Sequence, residues 1–477
     1  MFKKVLSLVL AGALLVGATA CSKKDEASQT ADVPELRWVF PGSSSKMAEL
    51  PEVVEKANEI IEAEIGARLK VELVDDGSYS EKLKLLMASG DDFDLCFTSN
   101  WLNDYYSAAN SSGLMDITDY IDEATKAVIP DYALEAAKIK GRIYGIPNVQ
   151  VMTHPLAMYI DREIYEKYKD QVDFLQIEQI DELEPLLELI KKDYPDKYAF
   201  HTLWGVQAWT LPVYEKILGT NMVIRCDGTD PEAKFIVDTP EYQHGVRKLH
   251  EWYEKGYIRA DVASAGDDSS DRKAGKYVIM FEKWKPGLDE TYPDRVYKTL
   301  YSPYLEFSGP LQAMTGVGAK SKNPELAVKL IQLMNSNQEL YNLMCYGIEG
   351  KHYTKNEDGS VSYVEGSKYA PKADWKWGNQ FNAYIPEGVD KSVWDQTNKM
   401  NEEASKSPLL GFVPDLKEIR AEISQISNIN SEFNTLSHGA GDTEKLLADY
   451  KAKLESAGQK KVEEEIKRQV SEFLANK

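Results

Sequence analysis

The sequence predicts an α/β protein of at least two domains, and three observations carry that expectation. At 477 residues the chain is too long for one ordinary hydrophobic core, and its 43% hydrophobic content suffices for two. Its first third alternates strand-like and helix-like spacing as a β-α-β-α-β series, which implies a mostly parallel sheet covered by helices. The stretch from Glu81 to Trp101 then runs from an amphipathic helix into a short apolar strand and a polar loop ending in an indole. In open α/β sheets, ligands sit at the carboxyl ends of the strands, so Thr98-Ser99-Asn100-Trp101 is a candidate binding surface. The plainer reading of that loop is a helix cap with a core Trp.

Leu36, Trp38 and Phe40 alternate with Glu35, Arg37 and Val39 as a first strand ending at Pro41-Gly42. Leu50, Val53, Val54, Ala57, Ile60 and Ile61 share one helical face, and Gly66 stops that helix. Leu69, Val71 and Leu73 alternate as a second strand. Tyr79, Leu83, Leu86 and Met87 form the next helical stripe, Gly90 ends it, and the apolar run Phe93 to Phe97 suits a buried strand. A hairpin turning at Gly141 follows, then a strand from Ala157 to Ile160. Further on come a helix carrying Leu183, Leu186, Leu187 and Ile190 and a strand from Phe235 to Val237. Thr239-Pro240-Glu241 caps a helix with Tyr242, Val246, Leu249 and Tyr253, which closes at Gly256. A strand from Lys276 to Phe281 leads into Lys283-Trp284-Lys285-Pro286. Asn323-Pro324 opens a helix with Ala327, Leu330, Ile331 and Met334 inward, and Lys355 to Gly359 reads as a hairpin turn. The carboxyl end is helical, with Leu416, Ile419, Ile423 and Ile426 on one face and Val462, Ile466, Val470 and Phe473 on another.

The amino terminus reads as an export signal over residues 1–20. Lys3 and Lys4 supply the positive end, Val5 to Val16 the apolar run, and Ala18-Thr19-Ala20 the cleavage site. Cys21 follows directly and resembles the lipobox cysteine of bacterial lipoproteins, although Ala18 stands where that pattern has a large aliphatic. Residues 21–34 are polar and read as a flexible tether. Removal of Lys3 and Lys4 takes two positive charges, so the formal net charge of −21 becomes −23. Such a surface repels nucleic acid and anionic lipid heads. Cys96, Cys226 and Cys345 are the remaining cysteines, an odd number with no metal-ligand spacing.

No Gly-x-Ser-x-Gly, His-Glu-x-x-His, phosphate-loop or dinucleotide glycine pattern occurs, and the six histidines are scattered. The expectation is therefore no catalytic residue, no metal and no cofactor. A glycoside hydrolase needs only two carboxylates, and 77 acidic residues make any pair uninformative. Aromatic content is more telling: nine Trp and 27 Tyr, with Trp101, Trp204, Trp209, Trp284, Trp375 and Trp377 near predicted loops. Flat rings with a polar edge suit the apolar faces of sugars, although core packing is the commoner role of any one of them.

Four ordered segments resemble a known family: SGDDFDLCFTSNW at 89–101, KGRIYGIPN at 140–148, GKYVIMFEKWKP at 275–286 and YGIEGKHYT at 346–354. With the ending from Gly411-Phe412 to Arg468-Gln469, the chain resembles a family 1 extracellular solute-binding protein of an ABC importer. Its nearest likeness is to the LipO-like lipoprotein group of Gram-positive bacteria, which has a characteristic C-terminal domain. The resemblance implies a two-lobe type 2 periplasmic-binding-protein fold with a helical C-terminal extension. By analogy lobe 1 takes residues 35–150 and 303–345, lobe 2 takes 151–302 and 346–410, and the helical region 411–477 packs on lobe 2. It also implies a monomer on the outer face of the cytoplasmic membrane, held only by lipid on Cys21, that captures a sugar, in particular an oligosaccharide, and passes it to the permease. The alternative is a secreted carbohydrate-active enzyme. Trp101, Trp284 and Glu349 match positions where family members approach the cleft. Trp204, Trp209, Trp377 and Asn379 join them as ligand-binding candidates from the aromatic argument.

Overall fold

The computed structural model describes residues 33–202, 204–264 and 268–476. The signal peptide, Cys21 and most of the tether lie outside them. The strands of the two main sheets are, in chain order, β1 Glu35–Pro41, β2 Arg68–Val74, β3 Leu95–Thr98, β4 Gly145–Pro147, β5 Leu156–Asp161, β6 Tyr198–Phe200, β7 Tyr277–Lys283, β8 Arg295–Thr299 and β9 Met314–Val317.

The first sheet has the order β2-β1-β3-β9-β4. The strands of the opening series pair in parallel, β2 and β3 on either side of β1, as the alternation requires. From β3 onward the sheet is antiparallel, because β9 returns from far along the chain to lie between β3 and β4. The helices α1 Leu50–Ile65 and α2 Asp76–Ser89 end where expected, at Gly66 and Gly90, both left-handed with φ of 67° and 71°. Tyr79, wholly buried, ties α2 to the sheet: its hydroxyl donates to the Val39 carbonyl (2.8 Å) and accepts from the Phe97 amide (2.8 Å). Phe93 lies just before β3 rather than within it.

The second sheet has the order β8-β5-β7-β6 and is mixed, antiparallel at β8-β5 and β5-β7 and parallel at β7-β6. The short strands β6 and β8 carry no alternation long enough to read from sequence. A small antiparallel sheet, Tyr214–Lys216, Met222–Arg225 and Lys234–Phe235, lies in the same lobe, and the expected strand at 235–237 turns into a 3-10 helix after Phe235. In the helix Pro240–Glu254 the Thr239 side chain accepts the Tyr242 amide, the cap that its sequence announces.

Two large hydrophobic cores result, beside a small cluster of Ala157, Tyr159, Tyr277, Met280, Leu288 and Tyr297, and the large ones correct the expected division of the chain. Tyr346, Tyr353, Val361, Tyr369, Trp377, Ala383 and Ala404 belong to the first core with β1 to β4, so the segment 346–404 is part of lobe 1 rather than lobe 2. The cause is twofold: the Trp377 ring stacks on Phe40 of β1 with centroids 3.6 Å apart, and the backbone at Tyr369 forms an antiparallel bridge with Met47 just before α1. Leu409, Phe412 and the inward residues of the helices Arg420–Glu432, Thr443–Ser456 and Gln459–Ala475 join the second core with β5 to β8. The chain thus passes between the lobes three times, at about 148–155, 300–313 and 404–408. The second and third crossings pair in parallel through Tyr304–Leu305 and Ser405–Lys406. Cys96, Cys226 and Cys345 are all free thiols. Among the described residues no helix is long and apolar enough to cross a membrane.

Candidate functional site between the lobes

The loop after β3 is built by short polar side chains. Ser99 Oγ accepts the amides of Trp101 and Leu102, and the Asp104 side chain caps the helix Tyr105–Asn110 by accepting the Ser107 amide (2.8 Å). The loop is pinned to the second crossing, since the Asn100 amide donates to the Leu311 carbonyl (2.9 Å) and Trp101 Nε1 donates to the Gln312 carbonyl (2.8 Å). Trp101 is therefore not a core residue: it stands 57% exposed, its indole held by one edge.

A second indole faces it. Trp375 lies 6.1 Å from Trp101, ring centroid to centroid, at an interplanar angle of 50°, and both rest on the buried Phe97 at 6.3 and 6.0 Å. The Trp375 carbonyl accepts from Asn148 Nδ2 (3.0 Å) at the start of the first crossing. The pair thus sits where the first and second crossings enter lobe 1.

From lobe 2, Trp284 directly follows β7, its amide bonded to the Pro155 carbonyl (2.9 Å) and its Nε1 donating to Asp289 (3.0 Å). Half-buried, it separates two cavities of about 590 Å³ each. One is lined by Pro155, Asp289, Tyr297 and Tyr301, the other by Pro286, Gln396, Met400 and Glu403 of both lobes, and Ser302 and Pro303 border both. Neither cavity is lined by Trp101. Trp204, also half-buried, lies under Lys283, whose ammonium is 5.5 Å from its ring centroid and donates to the His154 carbonyl (3.3 Å). Burial, followed by the charges of Lys283 and Lys285, pushes His154 down to about 3, so its imidazole is neutral.

Four other candidates have other roles. Trp377 is fully buried against Phe40 and Trp38, and Trp209 is buried beside Phe200 and Trp252 with Nε1 bonded to Asp181 (2.8 Å), so both are core residues. Asn379 caps a 3-10 turn by accepting the Phe381 amide (3.0 Å). Glu349 is paired with Lys355 (3.0 Å) at the hairpin Tyr353–Lys355/Val361–Tyr363, and none of its described contacts joins it to Trp101 or Trp284. Sequence reasoning chose Trp377 over Trp375, two residues apart in one turn. The residue that could have decided between them is Phe40, whose face takes Trp377, and no local pattern discloses that pairing.

One buried carboxylate organises the crossings. Glu215, 1% exposed, accepts from the Tyr304 hydroxyl (2.9 Å), the Phe307 amide and the Ser407 hydroxyl, binding the second and third crossings to lobe 2. Burial pushes it up to about 7 against the pull of those donors. On the lobe 1 side the grip is made by neutral amides: Asn401 Oδ1 accepts the Met152 amide (2.9 Å) and its Nδ2 donates to the Gln150 carbonyl (2.7 Å).

Two lobes, three crossings and facing indoles describe a receptor for a solute, and the comparisons with known proteins decide the family. The family model described as bacterial extracellular solute-binding protein matches residues 41–340. The chain belongs to this family. A second model, a domain of unknown function (DUF3502), matches 408–475, the helical part that follows the third crossing. A carbohydrate ABC transporter substrate-binding protein of Streptococcus pneumoniae serotype 4 (strain ATCC BAA-334 / TIGR4) is 28% identical, over 98% of this chain and 97% of that protein. The solved N-glycan transport solute binding protein (NgtS) from Streptococcus pneumoniae has a TM-score of 0.82 at 25% identity, covering 93% of this chain and 99% of that one. The same protein in complex with Man5GlcNAc gives 0.72 at 26% identity, with the same coverage. As a solute-binding protein with the fold of such receptors, the chain is not an enzyme, and the carbohydrate-active alternative falls.

Proposed function

We propose that this solute-binding protein captures an oligosaccharide between its lobes and delivers it to the permease of an ABC importer, held at the outer face of the cytoplasmic membrane by lipid on Cys21. The observation that carries the ligand class is the Trp101–Trp375 pair, two indoles presented at the junction of two crossings, with Trp284 supplied by the other lobe. Indole faces bury the apolar face of a pyranose ring, and a formal net charge of −21 disfavours acidic ligands. The S. pneumoniae relatives, one described as a carbohydrate receptor and the other as an N-glycan receptor, support the same class. The lipid anchor rests on the order of export signal, Cys21 and polar tether.

Calorimetric titration with Man5GlcNAc, alongside a panel of other neutral oligosaccharides, tests this reading. Heat of binding and a raised melting temperature are expected, with the sugar recovered intact. No heat and no stabilisation with any of them contradicts the oligosaccharide assignment. For the anchor, Cys21→Ala should move the protein from the membrane fraction into the medium. Unsubstituted protein found mainly in the medium contradicts it.

A further inference from the structure

We propose that Lys376 is a positioning residue for the Trp101–Trp375 pair, its buried ammonium fixing the Trp375 indole against its partner. This rests on the reading of that pair as a ligand surface. Lys376 is only 5% exposed, yet it carries a charge, and burying an ammonium is costly unless oxygens surround it. Its Nζ donates to Asp76 Oδ1 (2.8 Å), at the first residue of α2, and to the Pro41 carbonyl (3.3 Å), the last of β1. From there it lies 5.3 Å from the Trp375 ring centroid, within cation–π reach.

The turn that carries Lys376 is held without it. Trp377 is stacked on Phe40, the Asp374 carbonyl accepts from the Tyr341 hydroxyl (2.8 Å), and Asp374 Oδ2 accepts from Gln380 Nε2 (2.8 Å). Those contacts fix the backbone and the core side of the turn. The Trp375 ring is met instead by Phe97, by Trp101 and by the ammonium. Apolar contact is non-directional and leaves a half-buried indole free to rock. A cation tied to two oxygens gives its electron-rich face one preferred place. Because those oxygens belong to β1 and α2, and β3 pairs directly with β1, Trp375 is referenced to the same sheet edge that carries the Trp101 loop.

The test uses the full chain labelled with 5-fluorotryptophan and read by fluorine NMR, with Trp38, Trp101, Trp375 and Trp377 assigned by single Phe substitutions. Lys376→Met keeps the apolar stem and removes the charge; Asp76→Asn keeps the lysine and removes its counter-charge, and carries the test if the first variant does not fold. We expect the Trp101 and Trp375 resonances to shift and broaden, those of Trp38 and Trp377 to stay, and affinity for Man5GlcNAc to fall by about tenfold or more. An unmoved Trp101 resonance in a folded variant overturns the inference. So do displaced Trp38 and Trp377 resonances, which would make Lys376 a strut of the core. If the unsubstituted chain binds neither Man5GlcNAc nor any other oligosaccharide of the panel, the oligosaccharide reading is what fails, and the fluorine spectra still decide the role of Lys376.

Discussion

Lobe 1 presents its indoles as a wall, with Trp101 largely exposed beside Trp375, whereas lobe 2 presents Trp284 as a half-buried wedge between two cavities and keeps Trp204 beneath Lys283. The lobes also grip the crossings differently. Lobe 1 holds them with the neutral amides of Asn148 and Asn401, and lobe 2 with the ionisable Glu215. Two rings tilted by 50° on one side and a half-buried ring on the other differ in how much face each leaves open. Exposure, rather than residue type, separates the indoles that can serve a ligand from those that hold a core.

The sharpest way to break that distinction is to truncate one indole of each kind. Trp377→Ala should lower folding stability by about 3–5 kcal/mol, because a fully buried ring stacked on Phe40 leaves a cavity. Trp101→Ala should cost less, about 1 kcal/mol, since it removes the hydrogen bond to the Gln312 carbonyl and the edge contact with Phe97 but leaves no closed cavity. Urea denaturation of both measures the contrast, and equal losses would erase it.

The second prediction concerns the crossings. Glu215 titrates at about 7 in the folded chain against an ordinary 4.5. A raised carboxyl favours the folded state fully below the unfolded value, and that contribution is lost as pH rises from 4.5 through about 7. The shift corresponds to on the order of 3 kcal/mol. The parent should therefore lose stability relative to Glu215→Gln across this window, whereas Asn401→Ala should lower stability by the same amount at every pH. A difference that stays flat between pH 4.5 and about 7, with the parent losing ground to Glu215→Gln only as pH falls below 4.5, would mean that the three donors keep the carboxylate ionised.

The third and smallest effect is on binding. Removing a desolvated aromatic anchor costs about 2 kcal/mol or more, so Trp101→Ala and Trp284→Ala should each weaken Man5GlcNAc binding by roughly 30-fold or more. Titrations run beside melting curves separate the roles: normal affinity with a lowered melting temperature would assign Trp284 to packing and leave lobe 1 as the whole recognition surface.

How much of this was legible in the sequence follows from where the information lies. From β1 to β3 every element is adjacent in sequence to the one it packs on, so the periodicity of Leu36 to Phe40, the stripe ending at Met87 and the stops at Gly66 and Gly90 disclose the parallel half of lobe 1. The antiparallel half was not legible, because β9 pairs with β3 across more than two hundred residues. The placement of 346–404 in lobe 1 depends on Trp377 meeting Phe40 and Tyr369 meeting Met47, contacts that no window of sequence contains. The site divides in the same way. Trp101 and Trp284 are proposed from their places at strand ends, which local spacing discloses. Trp375 and Glu215 act through partners from three separate crossings and leave no local signature.

The central claim is that the lobes close on an oligosaccharide, and small-angle scattering of the full chain with and without saturating Man5GlcNAc tests it most directly. Saturation is established on the same sample by calorimetry. The radius of gyration should fall on binding, because three crossings joining two separate cores permit the wall and the wedge to approach. An unchanged radius at saturation would contradict closure and leave a rigid pocket in its place.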